Sequence, residues 1–246
     1  MCGNVLSHFL NNANPMAKQS TNLGYEEKFM RLTGSLSIAL VAMLTAGSAA
    51  AHHPLNGMPM ETFSQGVLSG VGHPLLGFDH LFFVIAAGIA AVFTTIRVMS
   101  LGGYLVAMAA GCLLMYAGIT LPLTELIVAI SLVAVGGLLA TGTKMRGPIA
   151  VGLFALFGLF HGSAFGGSIA TAEAAVSLAV LGGYLLGLIA VQFAIGWIAG
   201  SVAKTFSKMA LETPSIGARL AGAAVAGVGM FLVLEIAEGP LVQALI

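Results

Sequence analysis

The sequence predicts an all-α polytopic membrane protein: a bundle of six transmembrane helices behind an N-terminal signal peptide. Three observations predict it. Of the 246 residues, 58% are hydrophobic and only 7% charged. A soluble domain carries about 25% charged residues, so polar surface here is too scarce to cover a water-exposed fold. Apolar runs of the ~20 residues needed to cross a bilayer recur along the chain. Lys and Arg fall in alternate connections between those runs. The 33 glycines suit membrane helices that approach closely, and they show no strict repeat of a fibrous kind. Formal net charge is zero, which gives no basic field for nucleic acid. Cys2 and Cys112 make neither a disulfide framework nor a CxxC motif.

Residues 1–51 read as a leader and signal peptide. Lys28 and Arg31 supply a basic n-region, Leu36 to Leu44 a short apolar core, and Ala46-Gly47-Ser48-Ala49-Ala50-Ala51 a small-residue cleavage region. Residues 1–29 are polar and aperiodic, and Met30 stands directly before Arg31, so Met30 is a candidate start that would place residues 1–29 upstream of the product. Cleavage after Ala50 or Ala51 leaves a periplasmic segment, 52–74, that opens on His52-His53. A free amine with nearby imidazole and backbone nitrogens makes a square-planar set suited to Ni²⁺ or Cu²⁺.

The transmembrane domain, 75–246, divides into spans at about 75–95, 99–119, 121–141, 148–169, 177–200 and 219–238. Pro122 and Pro148 stand at span starts, where a missing N–H costs nothing. Arg97 lies between spans one and two, Lys144 and Arg146 between three and four, and Lys204, Lys208 and Arg219 between five and six. The other connections carry Glu61, Glu173 and Glu238 but no Lys or Arg. By the positive-inside rule the basic connections face the cytoplasm of a bacterial inner membrane and the mature N-terminus faces the periplasm. A signal peptide demands the same orientation. Six spans split into two sets of three, which an odd count per half would make inverted, although by sequence alone the similarity of the halves is too weak to define a repeat.

Ionisable residues inside a membrane are costly and are functional candidates by default. They are Asp79 and His80 in span one, Glu125 in span three, His161 in span four and Glu235 in span six, with His73 just before span one. At ~1.5 Å per residue, His80 lies roughly 8 Å and His161 on the order of 10 Å from the outer ends of their spans. Glu125 lies closer to the outer face still, and Glu235 and Glu238 read as interfacial. His73 and His80, seven apart, share a face of a continuous helix, which Pro74 and Gly77 would distort. Imidazole with carboxylate is a borderline donor set, suited to Ni²⁺, Co²⁺ or Zn²⁺. A lone His161 also reads as hydrogen-bonding glue between helices. Tyr104, Tyr116, Tyr184 and Trp197 carry no assigned role.

His73-Pro74-Leu75-Leu76-Gly77-Phe78-Asp79-His80 and Phe160-His161-Gly162-Ser163-Ala164 resemble the HPxxGxDH and FHGxA motifs of the HupE/UreJ family of nickel and cobalt permeases. The resemblance covers most of residues 30–246. It implies that His73, Asp79, His80 and His161 bind metal, with Glu125 as the third-span acid. Many members place another histidine or an acid just after the fourth-span histidine; here Phe165, Gly167 and Ser168 fill that stretch and the nearest acid is Glu173.

The expected function is secondary import of Ni²⁺ or Co²⁺ for metalloenzyme maturation, with no enzymatic activity and no permanently bound cofactor. His52 and His53 would collect the cation, His73 would strip its water, and Asp79, His80 and His161 would bind it. No phosphate-binding GxxxxGK[ST] loop is present. The partners are the metal ion and the lipid bilayer, with oligomeric state open. The rivals are a haem or redox protein with His80 and His161 as axial ligands, and a metal-binding subunit that does not translocate. An intramembrane protease ranks far below both, because HExxH and a GxSG-like serine turn are missing.

Overall fold

The computed structural model describes residues 60–170, 176–206 and 214–245. The expected signal peptide, His52, His53 and Glu173 lie outside the described residues. Those described form seven helices and no strand: α1 Phe63–Leu76, α2 Phe78–Val92, α3 Arg97–Tyr116, α4 Thr124–Thr141, α5 Gly147–Ala170, α6 Leu178–Phe206 and α7 Ile216–Leu245. The five from α3 to α7 are long and apolar enough to cross a membrane, whereas α1 and α2 meet that test only as a pair bent by 81°. The chain is a multi-pass membrane protein.

The first hydrophobic stretch departs from expectation. In place of one helix over about 75–95 behind an extramembrane tail, helix begins at Phe63 and breaks at Gly77. Local chemistry accounts for both ends of α1. Thr62 and Gln65 form a capping box, Gln65 N donating to Thr62 Oγ1 at 3.2 Å and Thr62 N to Gln65 Oε1 at 3.0 Å. Pro74, inside the last turn, has no N–H for the Gly70 carbonyl, and Gly77 ends the helix by turning extended at φ −83°, ψ 96°, its N–H closing onto His73 O at 2.9 Å. Glycines then seat α1 along α6. A Cβ at Gly66 would lie 2.3 Å from Val180 O and one at Gly70 2.1 Å from Tyr184 O, so the two backbones touch.

The dominant packing pairs are α3 with α5, α4 with α7, and α1 and α2 with α6. Helix α2 also meets α3, α4, α5 and α7, which makes it the hub. Its residues Phe83, Val84, Ala86, Ala87, Ala90 and Ala91 are all buried.

Taken with α1 and α2 as one broken unit, the second three units repeat the first three. Leu75-Leu76-Gly77-Phe78-Asp79-His80 corresponds to Leu156-Phe157-Gly158-Leu159-Phe160-His161, and Leu101-Gly102-Gly103-Tyr104-Leu105 recurs unchanged at Leu181-Gly182-Gly183-Tyr184-Leu185. Exchanging the first unit with α5, α3 with α6 and α4 with α7 carries the dominant packing pairs onto one another. The repeat escapes the sequence because only two short blocks survive, and their equivalence shows once the helices are in contact.

Basic residues gather at one end of the bundle. Arg219 Nε donates to Ala140 O at 2.8 Å near the end of α4. The Arg97 guanidinium lies 3.9 Å over the Trp197 ring and donates to the Trp197 carbonyl and to Ser201 Oγ at 3.2 Å. Ile96 packs against Gly147, which follows Lys144 and Arg146.

Candidate metal centre

The helix break assembles the site. Gly77 places His73 near the C-terminal end of α1 and Asp79 and His80 in the first turn of α2. On a continuous helix, residues seven apart stand roughly 10 Å apart along the axis. Here the two imidazole centroids are 6.2 Å apart. Asp79 sits at the positive end of the α2 dipole, a favourable place for a carboxylate.

Helix α5 brings in the fourth residue. His161 is fully buried, nine residues before the end of α5. Its Nδ1 lies 2.9 Å from His80 Nδ1, and its Nε2 lies 2.9 Å from Ser131 Oγ on α4. The two histidines occupy equivalent positions of the repeat, and each lies on a phenylalanine of the other's helix: His80 on Phe165 at 4.2 Å between centroids and His161 on Phe83 at 4.3 Å. His73 is anchored separately. Its Nδ1 is 3.2 Å from the Tyr184 hydroxyl, which donates to Phe165 O at 3.0 Å. That hydroxyl hydrogen is spent on the carbonyl, so Nδ1–H of His73 is the donor to Tyr184.

Of the residues expected from sequence, the structure therefore unites His73, Asp79, His80 and His161. His80 Nε2 stands 3.8 Å from Asp79 Oδ2, and the Asp79 side chain is 24% exposed while the histidines are buried. Glu125 stays apart. It is exposed in the first turn of α4, six residues and roughly 9 Å of helix rise from Ser131. Glu235 and Glu238 are exposed on α7, in keeping with interfacial positions. Among the described residues, no three His, Cys, Asp or Glu side chains stand together as a ready-made cage for an ion.

Sequence reasoning missed three participants. Ser131, Tyr184 and Tyr104 are fully buried around the histidines, Tyr104 donating to Gln192 Oε1 while Gln192 Nε2 is buried without a partner among the described residues. A hydroxyl or amide in the middle of an apolar run was the available signal. It is weak, because serine and tyrosine are common in membrane helices.

Comparison with known proteins agrees with the motifs. The family model described as HupE / UreJ protein matches residues 40–232. The chain is similar to Protein HupE of Rhizobium leguminosarum bv. viciae, 28% identical over 209 residues that cover 81% of this chain and 97% of that protein. No solved structure matches. With its two motifs meeting at one buried site and the family match spanning most of its length, the chain belongs to the HupE/UreJ family.

Proposed function

We propose that the protein is a secondary transporter carrying Ni²⁺ or Co²⁺ across the bacterial inner membrane into the cell, serving metalloenzyme maturation. The broken α1–α2 unit and α3 to α7 make six crossings, and the basic end faces the cytoplasm by the positive-inside rule. The observation that carries this reading is the meeting of His73, Asp79, His80 and His161 at a helix break inside an apolar bundle. Discontinuous helices at the interface of inverted repeats are where transporters bind their cargo. Nitrogen and carboxylate donors together suit late first-row divalent metals. A cargo site must also release its ion, and a site with few preassembled donors favours release over permanent retention.

Within this reading the cation enters from the side opposite the basic end, past Asp79, the most exposed of the four. His52 and His53 are the proposed collectors of the cation, Glu173 is a secondary metal candidate, and Glu125 flanks the entrance. The haem alternative fits the geometry less well. Nitrogen atoms 2.9 Å apart on His80 and His161 leave no room for a porphyrin between them.

Uptake of radiolabelled Ni²⁺ and Co²⁺ by cells lacking their own importers tests the proposal. Wild type is expected to accumulate one of the metals, and His80→Ala and His161→Ala to fall to background with protein still in the membrane. Wild-type accumulation no greater than that of empty cells would sink the transporter reading.

A further inference from the structure

Proton counting around His161 separates the residue that binds metal from those that hold it in place. Ser131 Oγ donates its one hydrogen to Val128 O at 2.6 Å. It can then only accept in its 2.9 Å contact with His161, so Nε2 of His161 carries the hydrogen. The His161 ring is fully buried, and both of its nitrogens are engaged, Nε2 by Ser131 and Nδ1 by His80, so neither is open to a metal ion. The same 2.9 Å contact occupies His80 Nδ1 and leaves Nε2 as the nitrogen His80 can offer. A metal on Nε2 requires the His80 hydrogen on Nδ1, where it is donated to His161.

His80 Nε2 stands 3.8 Å from Asp79 Oδ2, too far for a hydrogen bond. Two electron-rich atoms at this separation can be bridged by one first-row cation with bonds of about 2.1 Å to each. The repeat gives an independent reason to assign the roles this way. His161 is the counterpart of His80, but Phe160 stands where Asp79 does and Phe154 where His73 does. The second half has the histidine but phenylalanine at the positions of Asp79 and His73.

We propose that Ser131 and His161 are positioning residues, a fixed relay from Val128 O that locks His80 as the Nδ1–H tautomer and presents its Nε2, beside Asp79, as the metal-binding atom. His161 is then required for transport without being a ligand, and Ser131 acquires a function that neither motif contains. The proposal rests on the transporter reading above and deepens it. Outer partners of this kind orient metal-binding histidines, and their loss typically weakens metal affinity by about 10–100-fold.

Three measurements on the purified full-length chain test it. In metal-free protein labelled with ¹⁵N-histidine, and assigned with His80→Gln and His161→Gln, nitrogen shifts are expected to show Nδ1–H at His80 and Nε2–H at His161. The opposite tautomer at His80 would overturn the relay, and this readout needs no altered relay residue. In Co²⁺ titrations, Ser131→Ala is expected to weaken binding about tenfold, and Ser131→Thr, which keeps the hydroxyl, to restore it to within about threefold. X-ray absorption of the Ni²⁺-loaded protein is expected to count the same number of imidazoles in His161→Gln as in wild type, and one fewer in His80→Gln. A count that falls in His161→Gln makes His161 a ligand and refutes the assignment. Ser131→Ala that binds Co²⁺ as wild type does would also refute it, while leaving the transporter reading standing. Wild type that binds neither metal removes the transporter reading first.

Discussion

Gly162, directly after His161, tests how far the site depends on close helix approach. A Cβ there would lie 1.9 Å from Met108 O and 2.7 Å from its carbonyl carbon. Cβ contacts below 3.0 Å essentially do not occur, so in Gly162→Ala α3 and α5 must separate by about 1.1 Å. Both contacting atoms are backbone, and no side chain can swing away to absorb the clash. Forced overpacking of this kind costs about 3 kcal/mol, a fall of roughly 6–12 °C in melting midpoint for a chain of this size. The same displacement moves the His161 ring relative to His80 and Ser131, whose 2.9 Å bonds have no slack for it. Gly152→Ala on the same helix is the matched control. Its Cβ meets nothing within 4 Å, and replacing a helical glycine with alanine gains about 0.5–1 kcal/mol. Thermal melts of the two variants in detergent, read by size-exclusion recovery, would be compared with metal uptake. Gly162→Ala melting with wild type and transporting normally would refute the close approach of α3 and α5 on which the geometry rests.

Imidazole must be neutral to bind metal, so protons compete with the cation and uptake is expected to fall with decreasing pH, by at most about tenfold per unit for each histidine that must shed a proton. A flat profile between pH 5 and pH 8 in the uptake assay would remove histidine ligation. Glu125→Gln is expected to leave uptake within about twofold of wild type, because an exposed residue without a contact to the histidines contributes little to the site. Loss of uptake in that variant would bring Glu125 into the metal path.

How much of this was legible in the chain follows from the range of each interaction. Composition and hydrophobic length marked a multi-pass helical protein, because a bilayer imposes its thickness on every helix that crosses it. Intramembrane cost singled out Asp79, His80 and His161 for the same reason: a titratable group in hydrocarbon needs a function or a partner. The distortion expected at Pro74 and Gly77 was likewise local backbone chemistry, visible in adjacent residues. Its consequence was not. An 81° bend turned the expected single span into a pair and carried helix back to Phe63.

The candidate metal site began with His73, His80 and Asp79, and its motifs were read without a structure. What the tertiary structure decided is how those side chains are held. The 2.9 Å contact between His80 and His161 joins residues 81 apart, and the Ser131 hydroxyl reaches His161 from a third helix. Nothing in the local sequence of Ser131 sets it apart, since its importance lies in where its single hydrogen goes. The repeat was similarly hidden, for the two halves share glycines and one histidine while most other positions differ. Sequence determined which groups enter the membrane, because burial in lipid is a property of each segment. Only the fold decided which of their atoms face one another, because the direction of a hydrogen bond depends on partners that the chain brings together from far apart.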